Sequence, residues 1–251
     1  MGVVVRARRG PEGEVVALKV LRAELAADDV YKRRFAHEVR AAGGAASRHL
    51  VEILDAGEVH GRPYLAMSYV PGPSLEERLE GSGPLPLPDV ARIASELGDA
   101  LDTLHRVEIV HRDVKPSNIL FDEEGSALLT DFGLAKGRAY TLLTRPGQAM
   151  GTLDYMAPEL IRGQPASPAT DIYALGCVVY ECIAGIPPFG DRGVFEIGTA
   201  HLEEEPPDLT SVRTEASASL HWVVGRALAK EPNDRPSTAT AYAHMLQLAL
   251  R

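Results

Sequence analysis

The pattern of apolar residues changes character at the run Pro71-Gly72-Pro73. Before this run, short stretches rich in β-branched residues alternate with turn residues, which is typical of strands. After it, longer segments carry apolar residues at intervals of three and four, which is typical of amphipathic helices. The predicted strands are 2–8, 14–21, 51–58 and 63–70, with two short ones at 119–122 and 127–130. The predicted helices are 29–46, 87–105, 167–184, 217–229 and 237–250. The sequence therefore predicts an α+β chain whose small β-rich part ends near Val70 and is followed by a larger helical part.

Composition narrows the class of protein. The 251 residues include 26 Lys and Arg against 35 Asp and Glu, which gives a net charge of −9 and argues against a nucleic-acid partner. The longest apolar stretch, 172–189, contains Glu181 and ends in two prolines, so it is predicted to be a buried core helix and no membrane segment is expected. The two cysteines, Cys177 and Cys182, lie in that stretch and are expected to be buried thiols. Together these features predict a cytoplasmic chain.

The most informative stretch for chemistry runs from His111 to Asn118 and reads HRDVKPSN. Asp113 and Asn118 are five residues apart, and the triplet Asp131-Phe132-Gly133 begins thirteen residues after Asn118. Carboxylate and amide oxygens on short loops suit a divalent cation and phosphate. A carboxylate near a nucleophile can also orient it and accept its proton. The two motifs in this order, with Ala157-Pro158-Glu159 downstream, are very specific.

On these motifs the chain resembles the eukaryotic-type protein kinases, and among them the bacterial Ser/Thr protein kinases. The resemblance covers nearly the whole chain, from Gly2 to about Leu250. It implies a bilobal kinase fold, with an N-terminal lobe at 1–70, a hinge at 68–70 and a C-terminal lobe at 71–251. ATP is then expected in the cleft between the lobes, with Mg²⁺ as the metal and Mn²⁺ as the alternative.

The resemblance also implies roles for individual charged residues. Lys19 matches the strand lysine that holds the α- and β-phosphates, and Glu38 matches the helix glutamate that pairs with it. Asp113 matches the catalytic base, and Lys115 matches the lysine that neutralises the γ-phosphate during transfer. Asn118 and Asp131 match the two magnesium ligands.

Further residues match positions around the nucleotide and beneath the catalytic loop. The expected nucleotide contacts are Gly2, Val4, Ala17, Met67, Ser68, Val70 and Leu120, with Met67 as the gatekeeper. Glu159 is expected to pair with Arg235, Asp171 to brace the catalytic-loop backbone, and Thr152 to contact Asp113 and Lys115. Without the family, Val4, Ala17 and Leu120 are read more simply as core aliphatic residues.

Regulation is expected in the loop between Asp131 and Glu159. Arg112 matches the arginine that pairs with a phosphorylated residue of this loop and so orders it. Thr144, seven residues before Gly151, is predicted to be the principal autophosphorylation site, with Thr141 as a second candidate. The simpler alternative is a solvated loop threonine.

The N-terminus departs from the family pattern. Of the phosphate-covering loop G-x-G-x-x-G-x-V only Gly2-Val3-Val4 is present, so the chain is truncated within that loop and the family's first strand is missing. Two explanations are open. Met1 is an internal methionine of a longer protein, or the truncation is real and the product is a catalytically impaired, pseudokinase-like binding module. In either case strand 3–8 is expected to present an unpaired apolar edge.

Two further functions compete with a Ser/Thr protein kinase. A small-molecule phosphotransferase also carries an Asp…Asn catalytic loop but normally lacks the Ala-Pro-Glu element, and a scaffold would not need ATP. The protein substrate and the input signal are not encoded in any recognisable motif, and a homodimer is an open alternative. Trp222 and Tyr242 are predicted to lie in the C-terminal core.

Overall fold

A computed structural model describes residues 2–10, 13–21, 29–131 and 153–250. In the N-terminal part, a four-stranded antiparallel sheet is formed by β1 (Gly2–Arg8), β2 (Val15–Leu21), β3 (Ile53–Val59) and β4 (Arg62–Ser68). Helix α1 spans Asp29–Ala42. The four predicted strands are confirmed, whereas the helix predicted over 29–46 ends at Ala42. Gly43 and Gly44 follow that end, and glycine is a poor helix former.

Turn chemistry explains the sheet connections. The β3–β4 turn has φ of 50° at His60 and 74° at Gly61, both in the left-handed region that a two-residue hairpin turn requires. The strand order is β1-β2-β4-β3, so β1 has a sheet neighbour on one side only within the described residues. Val3, Val4 and Val5 are 59%, 52% and 43% exposed, as expected for an apolar edge strand.

The pairing register fixes which residues share a face of the sheet. Val4 lies opposite Lys19, which lies opposite Leu65. Arg6 lies opposite Ala17, which lies opposite Met67. Directly opposed residues of antiparallel strands point to the same side, and so do residues two apart on one strand. All six therefore lie on one face.

The C-terminal part is helical with one short hairpin. Its helices are α2 (Leu75–Ser82), α3 (Leu87–Arg106), α4 (Pro158–Ile161), α5 (Pro168–Ala184), α6 (Val194–Glu203), α7 (Leu209–Val212), α8 (Ala218–Ala227) and α9 (Ala239–Ala249). The hairpin consists of β5 (Ile119–Phe121) and β6 (Ala127–Leu129). Single 3₁₀ turns lie at Pro116–Asn118 and Pro232–Asp234.

Helix α5 forms the centre of the C-terminal core. Ser167 caps its N-terminus, Pro168 occupies the first helical position, and Gly185 with φ 84° ends it. Tyr173, Tyr180 and Cys177 on this helix are at most 2% exposed, so the prediction of a core helix is confirmed. Among the described residues, no helix combines the length and the hydropathy needed to cross a bilayer.

The helical part also contains elements that the sequence did not predict, namely α2, α4, α6 and α7. Tyr242 is fully buried as predicted, but Trp222 is 59% exposed, so its assignment to the core was wrong. The buried face of α8 is formed by Leu220, Val223, Val224 and Ala227 at helical spacing, and Trp222 lies off that face.

Candidate active site

The loop before β5 is held by a buried carboxylate. Asp171 of α5, which is fully buried, accepts hydrogen bonds of 2.8 Å from the backbone N–H groups of His111 and Arg112. The ring of His111 lies 3.0 Å from the carbonyl of Thr130. Arg112 has a φ of 63°, a strained conformation that the surrounding contacts must maintain. The loop backbone is therefore fixed from the core helix, at the point where the sequence placed Asp171.

Asp113 and Asn118 lie side by side on this loop. The side-chain amide nitrogen of Asn118 donates to the backbone carbonyl of Asp113 at 2.8 Å and to the carboxylate Oδ2 of Asp113 at 3.1 Å. The Lys115 Nζ lies 3.5 Å from the same carboxylate oxygen. Because the Asn118 amide nitrogen is used in this way, its amide oxygen is left to face a cation.

A contact between the two parts of the chain completes the cluster. Lys19 Nζ, from the middle of β2, lies 2.6 Å from Asp131 Oδ1, which follows β6. Their side chains are 12% and 28% exposed, so the pair is partly shielded from water. The φ of Asp131 is 59°, which aims the carboxylate from a second strained position. The backbone N–H of the preceding Thr130 donates to the carbonyl of Asn118, so Asp131 and Asn118 are tied through their backbones.

Glu38 is not paired with Lys19 in the described residues. Its Oε1 lies instead 3.9 Å from Arg112 Nη1. The ion pair expected between Lys19 and Glu38 is therefore replaced by two others, Lys19 with Asp131 and Arg112 with Glu38. The physical reason is competition, since two cations and two carboxylates within reach of each other can pair in more than one combination.

The proposed nucleotide residues surround this cluster. Val4, Ala17 and Met67 lie on the same face of the sheet as Lys19, and Met67 is 3% exposed. Leu120 lies on β5, which a single bridge from Ser74 connects to the start of α2. The backbone N–H of Ser68 donates to the carbonyl of Glu52 at 2.9 Å. The backbone N–H of Ser68 is therefore already used and is not available to a base.

An ion pair and a second carboxylate lie below the cluster. Arg235 binds Glu159 through two contacts of 2.8 Å, and both side chains are at most 3% exposed. Although burial raises the pKa of Glu159, the guanidinium of Arg235 brings that pKa below its usual value.

A second buried carboxylate, Glu181, was not indicated by the sequence. It lies 2.6 Å from the hydroxyl of Tyr155, and burial raises the pKa of Glu181 to about 7. Tyr155 lies two residues before the Ala157-Pro158-Glu159 motif, but nothing in the sequence linked it to α5.

Three of the predicted residues, Thr141, Thr144 and Thr152, lie outside the described residues. Gly2 begins β1. Val70 lies two residues beyond the end of β4.

The cluster suits a divalent cation that is also held by phosphate. No group of three or more His, Cys, Asp or Glu side chains is placed to hold a metal ion in the described parts of the chain. A carboxylate from Asp131 and an amide oxygen from Asn118 are oxygen ligands of the kind that Mg²⁺ accepts when phosphate and water complete its shell.

The chain is similar over most of its length to known proteins of one family. The protein kinase domain, as a family, matches residues 1–246. The serine/threonine-protein kinase PknH of Mycobacterium tuberculosis is 38% identical over 239 residues, which cover 95% of this chain and 38% of that protein. PknE of the same species is 39% identical over 236 residues, which cover 94% of this chain and 41% of that protein. The chain thus spans about two fifths of the length of these curated relatives. The crystal structure of the M. tuberculosis PknI kinase domain matches with a TM-score of 0.80 and 31% identity, covering 99% of this chain and 91% of that one.

Proposed function

Since the chain belongs to the protein kinase family and its curated relatives are serine/threonine-protein kinases, we propose that it transfers the γ-phosphoryl group of ATP to Ser and Thr hydroxyls of proteins. The observation that carries this proposal is the 2.6 Å contact between Lys19 and Asp131. It brings Lys19, on a strand of one lobe, to Asp131, the proposed metal-binding carboxylate of the other lobe, near Asp113 and Asn118. Few chemistries other than phosphoryl transfer need these four groups together.

Each residue has a distinct task in the proposed reaction. Asp113 orients the acceptor hydroxyl and takes its proton as that oxygen bonds to the γ-phosphorus and the bond to the β-phosphate oxygen breaks. Lys115, 3.5 Å from Asp113, lies where it can neutralise charge on the transferring group. Lys19 holds the α- and β-phosphates, while Asn118 and Asp131 hold the divalent cation. When bound, Mg²⁺ supplies charge neutralisation to the phosphate oxygens.

The described ion pairs fit a resting state of such an enzyme. Lys19 is engaged by Asp131, and Glu38 lies beside Arg112 rather than beside Lys19. In a protein kinase both the lysine–glutamate pair and the metal-bound aspartate must be in place for transfer. Activation therefore requires the pairs to exchange, and phosphorylation of Thr144, with Thr141 as the second candidate, is the proposed trigger because a phosphate would attract Arg112.

A pseudokinase-like binding module is the second candidate. The position of Glu38 beside Arg112 rather than beside Lys19 favours it. Such a module would bind the nucleotide without transferring phosphate.

Phosphate incorporation from labelled ATP separates the two candidates. We expect purified Met1–Arg251, or a version extended upstream, to label itself, and Asp113→Asn to lose about 100-fold or more of that rate. The matched control is Asp122→Asn, since Asp122 accepts backbone hydrogen bonds in the β5–β6 turn and an asparagine can keep them. Equal labelling by Asp113→Asn and the unchanged protein would contradict the proposal. Phosphopeptide mapping that finds Thr144 unmodified in active protein would contradict the proposed trigger.

A further inference from the structure

A cation–π contact joins the outermost described strand to the connection between the lobes. The guanidinium carbon of Arg6, on β1, lies 5.1 Å from the centroid of the Tyr69 ring. Tyr69 immediately follows the end of β4 and is 38% exposed. Neither residue belongs to the catalytic cluster, although Tyr69 lies in the expected hinge at 68–70.

The sheet register places Arg6 on the face that covers the proposed nucleotide cleft. Arg6 lies opposite Ala17, which lies opposite Met67. Val4 lies two residues before Arg6 on β1, on the same face, and is opposite Lys19. The contact with Tyr69 therefore spans β2 on that face, at the end of the strand away from Lys19.

Strand β1 lies at one edge of the described sheet, as β3 does at the other. It pairs with β2 on one side only, and three of its valines are exposed. If the nucleotide base binds against Val4 and Ala17, β1 must remain in place over the base to cover it. The Arg6–Tyr69 contact can hold β1 in that position, because it connects β1 to the residue that follows β4 in addition to the pairing of β1 with β2.

We propose that Arg6 and Tyr69 form a clamp across the outer edge of the nucleotide cleft, which holds β1 over the bound base and slows nucleotide release. This inference rests on the proposed function, since it needs a nucleotide in the cleft. Arg6 acts as a positioning residue through β1. An exposed cation–π contact of this kind corresponds to about a two- to fivefold change in a rate or equilibrium constant.

The test is a double-mutant cycle on nucleotide release. Mg-ADP carrying a fluorescent label on the ribose is bound to the purified chain and chased with excess unlabelled ADP in a stopped-flow instrument. The variants are Arg6→Gln, Tyr69→Leu and the two combined. We expect each single variant to release nucleotide about two- to fivefold faster, and the double variant to be no faster than the faster single one.

Two controls separate the clamp from other effects of the substitutions. Arg8→Gln removes the same charge from the same face of β1. In the described part of the hairpin turn Arg8 donates to the carbonyl of Gly13 at 3.5 Å, so this variant should release nucleotide at the unchanged rate. Tyr69→Phe keeps the ring and should also behave as the unchanged protein. Melting temperatures without nucleotide are measured for every variant, because a purely structural contact would lower them equally with no coupling in the release rate.

Independent effects that multiply in the double variant would overturn the clamp, as would an equal acceleration by Arg8→Gln. Unchanged release in both single variants would overturn it too. Failure of the unchanged chain to bind the labelled Mg-ADP would instead refute the nucleotide cleft itself, and the clamp with it. The two failures are thus distinguishable in the same instrument.

Discussion

His105 joins two carboxylates that support the catalytic loop. Its Nε2 lies 2.7 Å from Asp171, and its Nδ1 lies 3.8 Å from Asp102. Asp102 in turn accepts the backbone N–H groups of Ala239 and Thr240 at the start of α9. Burial lowers the pKa of His105, but the two carboxylates outweigh it and raise the pKa to about 9. The imidazolium is therefore part of the folded structure at neutral pH.

This charge makes the stability of the chain depend on pH. Because the folded pKa of about 9 lies above the ordinary value of 6.5, the stabilisation is fully present below pH 6.5 and is lost as pH rises through 9. A shift of this size corresponds to roughly 3 kcal/mol as an upper limit. We expect His105→Gln to lower the free energy of unfolding most at pH 6 and least near pH 9.5. Urea unfolding at pH 6, 7.5 and 9.5 measures it, and a difference between the two proteins that stays constant with pH would contradict the assignment.

At the residue scale, the sequence predicted positions better than pairings. Asp171 lies against the loop it was expected to brace, and Glu159 contacts Arg235. These partners are 60 and 76 residues apart, and the contacts could be predicted because the family resemblance implied them. The partner of Lys19 could not be predicted, since it depends on how two cations and two carboxylates share contacts. Glu181 was missed for a similar reason, because its partner Tyr155 is 26 residues away in sequence.

Helix α5 crosses α8 at a glycine. A Cβ on Gly176 would lie 2.8 Å from the Cβ of Ala227 and 3.1 Å from Leu228 Cδ2. Contacts this short require the helices to move apart, and no flexible side-chain end can yield instead at Ala227. The close approach of these two helices therefore depends on the absence of a side chain.

We expect Gly176→Ala to destabilise the chain. The overpacking costs about 1–3 kcal/mol, whereas the gain in helix propensity is about 1 kcal/mol. The matched control is Gly198→Ala in α6, where a Cβ would meet nothing within 4 Å, so the free energy of unfolding should rise by up to about 1 kcal/mol. Both values come from urea denaturation. A Gly176→Ala protein as stable as the Gly198→Ala protein would show that the helix crossing is not tight.

At the element scale, long periodic segments were predicted and short ones were not. The boundaries of α3 and α5 agree with the sequence to within one residue, because many apolar residues repeat along them. Helix α6 has ten residues with few buried positions, so its pattern is too short to stand out. For Trp222, residue type suggested the core, but the 3.6-residue spacing of Leu220, Val223 and Val224 already indicated a different face.

At the scale of the whole molecule, the described residues join the two lobes through backbone hydrogen bonds and through two ion pairs, Lys19 with Asp131 and Arg112 with Glu38. The backbone N–H of Val51 donates to the carbonyl of Leu129, and the N–H of Leu129 donates to the carbonyl of His49, which joins β6 to the segment before β3. The Lys19–Asp131 pair adds a charged link between β2 and the residue after β6. The two-part architecture could be predicted from the change of pattern near Val70. The link could not, because it joins residues 112 positions apart.

The charged link between the lobes predicts how nucleotide affinity depends on magnesium. Without the metal, Asp131 competes with the phosphates of ADP for the Lys19 ammonium. Asp131→Asn removes that competition, so metal-free ADP should bind more tightly than to the unchanged protein, by about tenfold for one charge-assisted contact. Because the variant has also lost a metal ligand, adding Mg²⁺ should improve its affinity far less than in the unchanged protein. Isothermal titration with ADP, in EDTA and in Mg²⁺, measures all four dissociation constants, with Asp122→Asn as the control for loss of a nearby carboxylate. If Mg²⁺ increased the ADP affinity of Asp131→Asn as much as that of the unchanged protein, Asp131 would not hold the cation. If Asp131→Asn bound metal-free ADP less tightly than the unchanged protein, the pair with Lys19 would not compete with phosphate.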